Sequence, residues 1–202
     1  LFGDTLYRQR EATAMGPCFA PSFAKWFVGW WEKQVACVDG NERYFEHVIL
    51  WVRYIDDLFW IWTGSRNLLE EYITVLNSNS LNLKFTHTIS ATNINFLDLA
   101  IRVEGGRLLS TLYRKPTAGN TILYGSSCHP NSVKWSIPFG ELLRAKRNCT
   151  EEADFNIAAS GMLGRFMQRK YPKKVLMESQ KKIAKKQRCE LLTENVRLQQ
   201  SD

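Results

Sequence analysis

The sequence lacks the signs of an extracellular or zinc-binding protein. Its five cysteines are odd in number, scattered along the chain and without C-x-x-C spacing, so they indicate neither a disulfide framework nor a zinc site. The first residues have neither a basic start nor an apolar stretch, so we expect no secretory signal. A reducing, intracellular compartment is the simplest expectation.

Long apolar runs, internal repeats and low-complexity tracts are also missing. The most apolar window, residues 51–62, is interrupted by Arg53, Asp56 and Asp57 and is too short to span a bilayer. We therefore expect no transmembrane helix and no membrane partner. The length of 202 residues and the hydrophobic fraction of 45% suit one folded domain, or one and a half, with an ordinary core.

Acidic residues are fewer than basic ones. The chain has 27 Lys and Arg against 20 Asp and Glu, a formal net charge of +7, which favours polyanionic partners. The excess lies in the last third, where we predict helices over residues 136–148, 151–170 and 173–192. A single charge run such as residues 181–188 is as often a solvated face, but several basic helices in succession favour contact with a phosphate backbone.

Two adjacent carboxylates, Asp56 and Asp57, lie between two apolar runs of β-branched and aromatic residues within residues 48–62. These runs predict a hairpin with both carboxylates at its tip. Since neighbouring carboxylates repel each other, a hard divalent cation with oxygen ligands is one expected counter-charge. A solvated acidic turn is the alternative, and the pair alone does not decide between them.

Two helices are predicted on either side of this hairpin, over residues 21–38 and 67–77. In the first helix, aromatic and aliphatic residues recur at helical spacing, and we interpret their stripe as part of the core. The members of the stripe are Phe23, Phe27, Trp30, Trp31 and Val35.

Strands are predicted in the middle of the chain. Residues 83–89 alternate apolar and polar side chains, as a strand does. Residues 94–103 and 107–114 predict a hairpin around a glycine turn. Asp98 interrupts the first arm of that hairpin, and we interpret it as a hydrogen-bonded structural carboxylate.

In this order the motifs resemble the palm and thumb of a reverse transcriptase, most closely that of Penelope-like retroelements. A Y-x-D-D tetrapeptide alone is weak evidence, but the same motif between a Gly/Pro-led helix and a strand hairpin is specific. The resemblance covers nearly the whole chain. It rests on TAMG at 13–16, AP at 20–21, YIDD at 54–57, FLD at 96–98, LYRKPT at 112–117, SSCHP at 126–130, IP at 137–138 and LR at 143–144.

The resemblance implies an α+β fold in two parts. Residues 1–115 would form the C-terminal part of a polymerase palm, with antiparallel strands and packed helices, including the catalytic hairpin and a hairpin like a primer grip. Residues 116–202 would form a basic, α-helical thumb or a helix-turn-helix-like region. Residues 113–149 also resemble a helix-turn-helix-like module of such elements, which would be a further contact with nucleic acid.

The implied chemistry is RNA-directed DNA synthesis with two Mg²⁺ ions. Asp56 and Asp57 would be the catalytic metal ligands while the primer 3′-hydroxyl attacks the α-phosphate of a deoxynucleotide triphosphate. The nucleotide and template side would be lined by Gln9, Met15, Gly16 and Tyr54.

The implied partners are an RNA template and a DNA primer duplex, inside the cell and in its nucleus. Side chains on the second hairpin and the first basic helix would hold the primer and the duplex, since Arg and Lys suit phosphates. They are Tyr113, Arg114, Lys115, Arg144, Lys146 and Arg147.

The sequence also departs from this family. Such polymerases need another catalytic Asp upstream of Gly16, which this chain does not contain, and Asp4 is no substitute. Ala12 stands where a Gly is usual. We therefore expect the chain to be inactive without the missing fingers and palm segment. Two alternatives stay open: a non-catalytic nucleic-acid-binding remnant of a retroelement, and a degenerate copy that does not fold stably because a palm lacking a strand exposes a sheet edge.

Overall fold

Helices and antiparallel strands occur together in the chain, so the predicted α+β class is confirmed. The computed structural model describes residues 3–7, 13–14, 16–36, 40–81 and 83–192. The contacts divide the chain into two units, Leu1–His87 and Thr88–Asp202. Within the described ranges the strands pair in a two-stranded and a three-stranded sheet, and no polymerase palm is shown. The functional division into residues 1–115 and 116–202 stays a prediction.

The first unit combines α-helices with a hairpin. Its elements are α1 (Ala20–Trp31), the π-helical segment Glu32–Ala36, α2 (Glu42–Phe45), β1 (Val48–Tyr54), β2 (Asp57–Trp62) and α3 (Arg66–Asn77). Pro21 suits the first turn of α1, where no backbone donor is needed. Ser65 caps α3, because its side chain accepts a hydrogen bond from Leu68 N.

The hairpin of β1 and β2 lies where the sequence predicts it. The strands pair antiparallel, with Trp51 opposite Trp60 and Tyr54 opposite Asp57. The turn itself consists of residues 55–56, so Asp57 begins β2 and only Asp56 lies at the tip. The rings of Trp51 and Trp60 stack with centroids 4.7 Å apart, and such cross-strand pairs stabilise one register.

The core of the first unit is aromatic. Trp31, Tyr44 and Tyr72 are fully buried, and the ring centroids of Tyr44 and Tyr72 lie 4.8 Å apart. The predicted core stripe of α1 is only partly correct, since Phe23 and Trp30 are 53% and 50% exposed. The buried side of α1 carries Trp31, and Phe23 and Trp30 point away from that side, about a third of a turn round the helix.

The predicted strand over residues 83–89 is wrong. The segment is irregular, because asparagine side chains at the end of α3 take up its hydrogen bonds. Asn77 Oδ1 accepts from Phe85 N at 2.7 Å, and Asn79 Oδ1 accepts from Leu83 N at 3.2 Å. Asparagine offers the backbone this local alternative to a sheet ladder.

The second unit begins with a three-stranded antiparallel sheet in the order β3 (Asn93–Phe96), β4 (Leu99–Glu104), β5 (Arg107–Leu112). The predicted hairpin around Gly105 and Gly106 is confirmed, and both glycines have positive φ. Its first arm, predicted as one strand, is itself a hairpin that reverses at residues 97–98. Leu97 has a φ of 54°, a conformation that costs a residue other than glycine about 1–2 kcal/mol, so the local sequence gave little sign of this turn.

The helices α4 (Asn131–Asn148), α5 (Glu152–Gln168) and α6 (Lys173–Ala184) follow the sheet, and residues 188–192 are helical as well. α4, α5 and α6 correspond to the three predicted basic helices, with α4 starting earlier and α6 ending earlier. Their shared core contains Leu142, Ala145, Phe155, Met162, Phe166 and Ile183. In the part of the chain that the structure describes, no helix has the length and apolar character needed to cross a membrane.

β5 is bonded to the connection between α4 and α5. Ser110 N donates to Thr150 Oγ1 at 2.9 Å, and Thr150 N donates to Ser110 O at 2.8 Å. Ser110 Oγ donates to Asn148 O at 2.7 Å. These bonds satisfy backbone groups at the end of α4 and hold the helices against the sheet.

The segment between β5 and α4 packs against the end of α5. Gly125 N donates to Arg169 O at 2.8 Å, and Asn120 Nδ2 donates to Arg165 O at 3.0 Å. A Cβ atom on Gly125 would lie only 2.6 Å from Lys170 O. Glycine is therefore required here, because two backbones approach each other closely.

We expect Gly125→Ala to lower the free energy of unfolding by about 1–3 kcal/mol, the usual cost of forcing an extra carbon into a packed site. Chemical denaturation followed by circular dichroism measures this change. Gly161→Ala is the matched control, since its Cβ atom would meet nothing within 4 Å, and it should stabilise α5 by about 0.5–1 kcal/mol. Equal effects of the two substitutions would contradict the close approach.

Candidate nucleic-acid interface

The helices α5 and α6 are joined by a short turn, residues 169–172, that contains a left-handed residue. Lys170 has a φ of 61°, and its carbonyl lies against Gly125. Two helices connected by a turn of this length form a helix-turn-helix arrangement. The turn ends at Pro172, whose fixed φ suits the start of α6.

Tyr171 fixes this turn to the core. Its side chain is only 4% exposed, and its ring packs edge-on against Phe166 and Trp135, with centroids 4.9 and 5.7 Å away. The guanidinium of Arg169 lies 4.2 Å from the ring centroid of Tyr124. These contacts determine the direction in which α6 leaves the turn.

α6 has one buried side and one basic side. Leu176, Ser179 and Ile183 are buried, and the remaining surface of α6, with Lys185 directly after it, exposes five lysines with one glutamate, Glu178, among them. These lysines, which we call the lysine face, are Lys173, Lys174, Lys181, Lys182 and Lys185. None of them forms an ion pair with any residue that the structure describes.

The position of Lys173 and Lys174 is unfavourable for the helix itself. They occupy the first turn of α6, which contains no acidic residue. The amino end of a helix carries a partial positive charge that favours anions and disfavours cations. Two lysines at this end therefore add to a positive potential that an external anion would neutralise.

A second group of cations meets where β5, α4 and α5 come together. Burial, followed by the positive charges of Arg114 and Arg144, lowers the pKa of Arg165 below its ordinary value, while Glu141 opposes that shift. Arg114 and Arg144 are both exposed, and Arg165 is half-buried. Arg114 and Arg144 were predicted to hold a duplex, and in the folded unit the charges of both act on Arg165.

The other predicted duplex residues differ in exposure. Lys115 is exposed and Tyr113 is half-buried, with Tyr113 N donating to Asp98 O at 2.7 Å. Lys146 is only 8% exposed; it forms an ion pair with Glu152. A duplex contact by Lys146 would require that ion pair to open.

Arg147 also lies partly inside the second unit. Its Nε atom is buried and has no hydrogen-bond partner among the described residues, and its carbonyl accepts from Arg188 Nε at 3.0 Å. The ammonium of Lys146 stays 4.5 Å from the ring centroid of Phe155. Lys146 and Arg147 are therefore less exposed than Arg114 and Arg144, a difference that the sequence did not show.

The predicted catalytic carboxylates belong to the first unit. Asp56 and Asp57 are both exposed, and the turn that carries Asp56 is held by Arg53, whose Nη1 donates to Ile55 O at 2.8 Å. Arg53 Nε in turn donates to Glu32 Oε1 at 2.9 Å. Among the described residues no group of three or more His, Cys, Asp or Glu could hold a metal ion. Two Asp carboxylates suit Mg²⁺ in chemical type, and the magnesium prediction stays a prediction.

The predicted nucleotide side can be described only in part. Gln9 and Met15 lie outside the described residues. Gly16 has a φ of 122°, a backbone conformation that residues other than glycine rarely adopt. Tyr54 is exposed at the end of β1, opposite Asp57.

Asp98 has the structural role that its place in the sequence suggested. Asn148 Nδ2 donates to Asp98 Oδ2 at 3.3 Å, and Arg144 Nη1 lies 3.7 Å from the same oxygen. The carboxylate therefore connects the turn after β3 to α4. The interpretation of Asp98 as a hydrogen-bonded structural carboxylate is confirmed.

The comparison with protein families gives one result. A model of the animal helix-turn-helix domain matches residues 121–182. This segment contains α4, α5 and most of α6, and it overlaps residues 113–149, the predicted helix-turn-helix-like module, in part. No curated protein and no solved structure matches the chain significantly.

The resemblance to a reverse transcriptase is therefore wrong. The match covers the helices that this resemblance assigned to a polymerase thumb, and it points to a DNA-binding helix-turn-helix domain instead. The motifs YIDD and FLD have a common local explanation. In each, an Asp follows a residue of positive φ in a hairpin turn, with φ of 58° at Ile55 and 54° at Leu97, and Asp is a usual turn residue.

Tyr171 allows a test of how the turn is anchored. Its buried hydroxyl has no hydrogen-bond partner among the described residues, and burial raises the pKa of Tyr171. Below about pH 10 the Tyr171 hydroxyl is protonated in both the folded and the unfolded chain, so its titration does not reduce the free energy of unfolding. As the pH rises further, the hydroxyl of Tyr171 ionises in the unfolded chain before it ionises in the folded chain. The free energy of unfolding therefore falls until the pH has passed the folded-state pKa.

We expect Tyr171→Phe to raise the free energy of unfolding at neutral pH by about 1 kcal/mol, because a buried unpaired hydroxyl is removed. The variant should also lose less stability above pH 10 than the wild-type chain. Denaturant unfolding across a pH series measures both effects. Tyr54→Phe, at an exposed position, is the control; if it behaved like Tyr171→Phe, the buried hydroxyl would not be responsible.

Proposed function

We propose that the second unit binds duplex DNA without catalysis, as a helix-turn-helix module whose helix α6 turns its lysine face towards the phosphate backbone. The observation that carries this proposal is the group of five exposed lysines, four on α6 and one directly after it, that form no ion pair among the described residues. The family match over residues 121–182 supports it. Nucleic-acid binding without catalysis was one of the alternatives that the sequence left open.

The arrangement of charge favours a polyanion over a protein partner. Lys174 and Lys181 are seven residues apart, two turns of a helix, so their Cα atoms are separated by roughly 10 Å along the axis. Successive phosphates of one DNA strand are about 3.4 Å apart when the distance is measured along the helix axis. A row of lysines on one side of a helix can therefore reach several phosphates at once, and the released counterions drive the binding.

The geometry favours DNA over double-stranded RNA. The major groove of B-form DNA is about 12 Å wide and admits an α-helix, whereas the major groove of A-form RNA is deep and narrow. In helix-turn-helix proteins the second helix occupies the major groove, and in this chain that helix is α6. Lysine contacts with phosphates carry no base information, so we propose binding with little dependence on sequence.

We expect Lys174→Gln/Lys181→Gln to weaken binding to a short DNA duplex. The slope of log K against log salt should become less steep by about 2, since each lost phosphate contact removes about one counterion. Fluorescence anisotropy at several salt concentrations measures both quantities. Circular dichroism checks that α6 remains helical in the variant.

The matched control is Lys25→Gln/Lys33→Gln, which removes the same charge from two exposed lysines of the first unit. It should leave the salt slope unchanged. Asp56→Asn and the addition of magnesium should also leave binding unchanged, because the exposed carboxylates of the hairpin have no role in this proposal. Equal weakening by both lysine pairs would show that only net charge matters and would refute a role for α6. Polymerase activity is a separate question and stays untested.

A further inference from the structure

Three arginines from three different elements meet on the second unit. Arg114 follows β5, Arg144 lies on α4 and Arg165 lies on α5. We call these three residues the arginine cluster. They are far apart in the sequence, so only the folded unit brings their charges together.

One set of bonds holds Arg114 and Arg144 near each other. Tyr113 N, next to Arg114, donates to Asp98 O at 2.7 Å. The Asp98 carboxylate lies 3.7 Å from Arg144 Nη1. The end of β5 and the exposed side of α4 are thereby linked through a single residue.

A second set of bonds connects Arg114 with Arg165. Arg114 Nη2 donates to Ala118 O at 2.7 Å and also to Gly119 O. The next residue, Asn120, donates from Nδ2 to Arg165 O at 3.0 Å. The loop of residues 118–120 is therefore held by Arg114 at one end and by the backbone of α5 at the other.

The charges of the cluster are not balanced. Two carboxylates lie nearby, Glu141 and Asp98, and both are already within ion-pair distance of Arg144, at 3.1 and 3.7 Å. The guanidinium of Arg165 has no ion pair and no hydrogen bond with any residue that the structure describes. Burial and the charges of Arg114 and Arg144 lower its pKa, so this cation is held in place at an electrostatic cost.

A phosphate group would offset that cost better than a monatomic anion such as chloride. A guanidinium presents five N–H donors in a planar fork, and the fork matches the oxygens of a phosphate in two parallel, charge-assisted hydrogen bonds. The side-chain donors of Arg165 are not used by any residue that the structure describes, and Arg114 and Arg144, whose charges act on it, are exposed.

We propose that the arginine cluster binds a backbone phosphate of the nucleic acid, as a contact separate from the lysine face of α6. This inference rests on the proposed function. It extends the binding surface to the loop after β5. Part of the nucleic-acid contact therefore lies outside the two helices of the helix-turn-helix arrangement.

The test compares single variants in duplex-DNA binding by fluorescence anisotropy. Arg165→Gln should weaken binding about tenfold, as expected for the loss of one charge-assisted hydrogen bond, and should make the salt slope less steep by about 1. Arg165→Lys should keep the wild-type slope but bind more weakly, because it retains the charge and loses the fork. Arg107→Gln is the matched control: Arg107 is exposed on β5 of the same unit and already pairs with Glu151 at 2.7 Å.

Arg114→Gln tests a second, exposed position of the cluster if the Arg165 variants unfold. It should also make the salt slope less steep by about 1. Unchanged binding by the folded cluster variants, with binding still weakened by Lys174→Gln/Lys181→Gln, would overturn the phosphate site and leave the proposed function in place. Weakening by Arg107→Gln equal to that by Arg165→Gln would also overturn it. A wild-type chain that binds no duplex would overturn both proposals.

Discussion

The anchoring of the turn between α5 and α6 is the interaction on which the candidate interface depends. Tyr171 lies edge-on against Phe166 and Trp135, and Gly125 allows the backbone of another segment to approach Lys170. Together these contacts hold a turn that contains a residue of positive φ. Because the buried Tyr171 fixes the turn, the apolar side of α6 packs inward and its lysines face solvent.

The electrostatics of the second unit follow from this packing. The buried Lys146 is paired with Glu152. The exposed lysines of α6 have no carboxylate partner among the described residues, and the half-buried Arg165 lies under the like charges of Arg114 and Arg144. A surface of this kind raises the potential around the protein and draws polyanions towards it. DNA is the polyanion whose groove also fits a helix.

Local sequence signals predicted much of the fold but little of its tertiary detail. The hairpin around residues 55–56 and the three basic helices were expected, since β-branched runs and helical spacing are local features. The reversal at Leu97 was missed, because no glycine or asparagine marks it. The strand over residues 83–89 was predicted wrongly, because the competing bonds come from Asn77, the last residue of the preceding helix, and from Asn79 just after it.

For the candidate interface too, the sequence predicted local composition but not tertiary position. Basic composition indicated a nucleic-acid surface, but it could not distinguish the buried Lys146 from the exposed Arg144, two residues earlier on the same helix. Arg165 stood among many basic residues, and only the fold brings it near enough to Arg114 and Arg144 for their charges to lower its pKa. The resemblance to a polymerase rested on short motifs around turn residues, whose local chemistry recurs in unrelated hairpins.

The central claim is that α6 and its turn contact DNA while the acidic hairpin of the first unit does not. Hydrogen–deuterium exchange of the full chain, with and without a short DNA duplex, tests this claim most directly. The account predicts slower amide exchange in α6 and in residues 169–172 when DNA is present, with no change in β1 and β2. Protection confined to the β1–β2 hairpin, or unchanged exchange in α6 at saturating DNA, would contradict it.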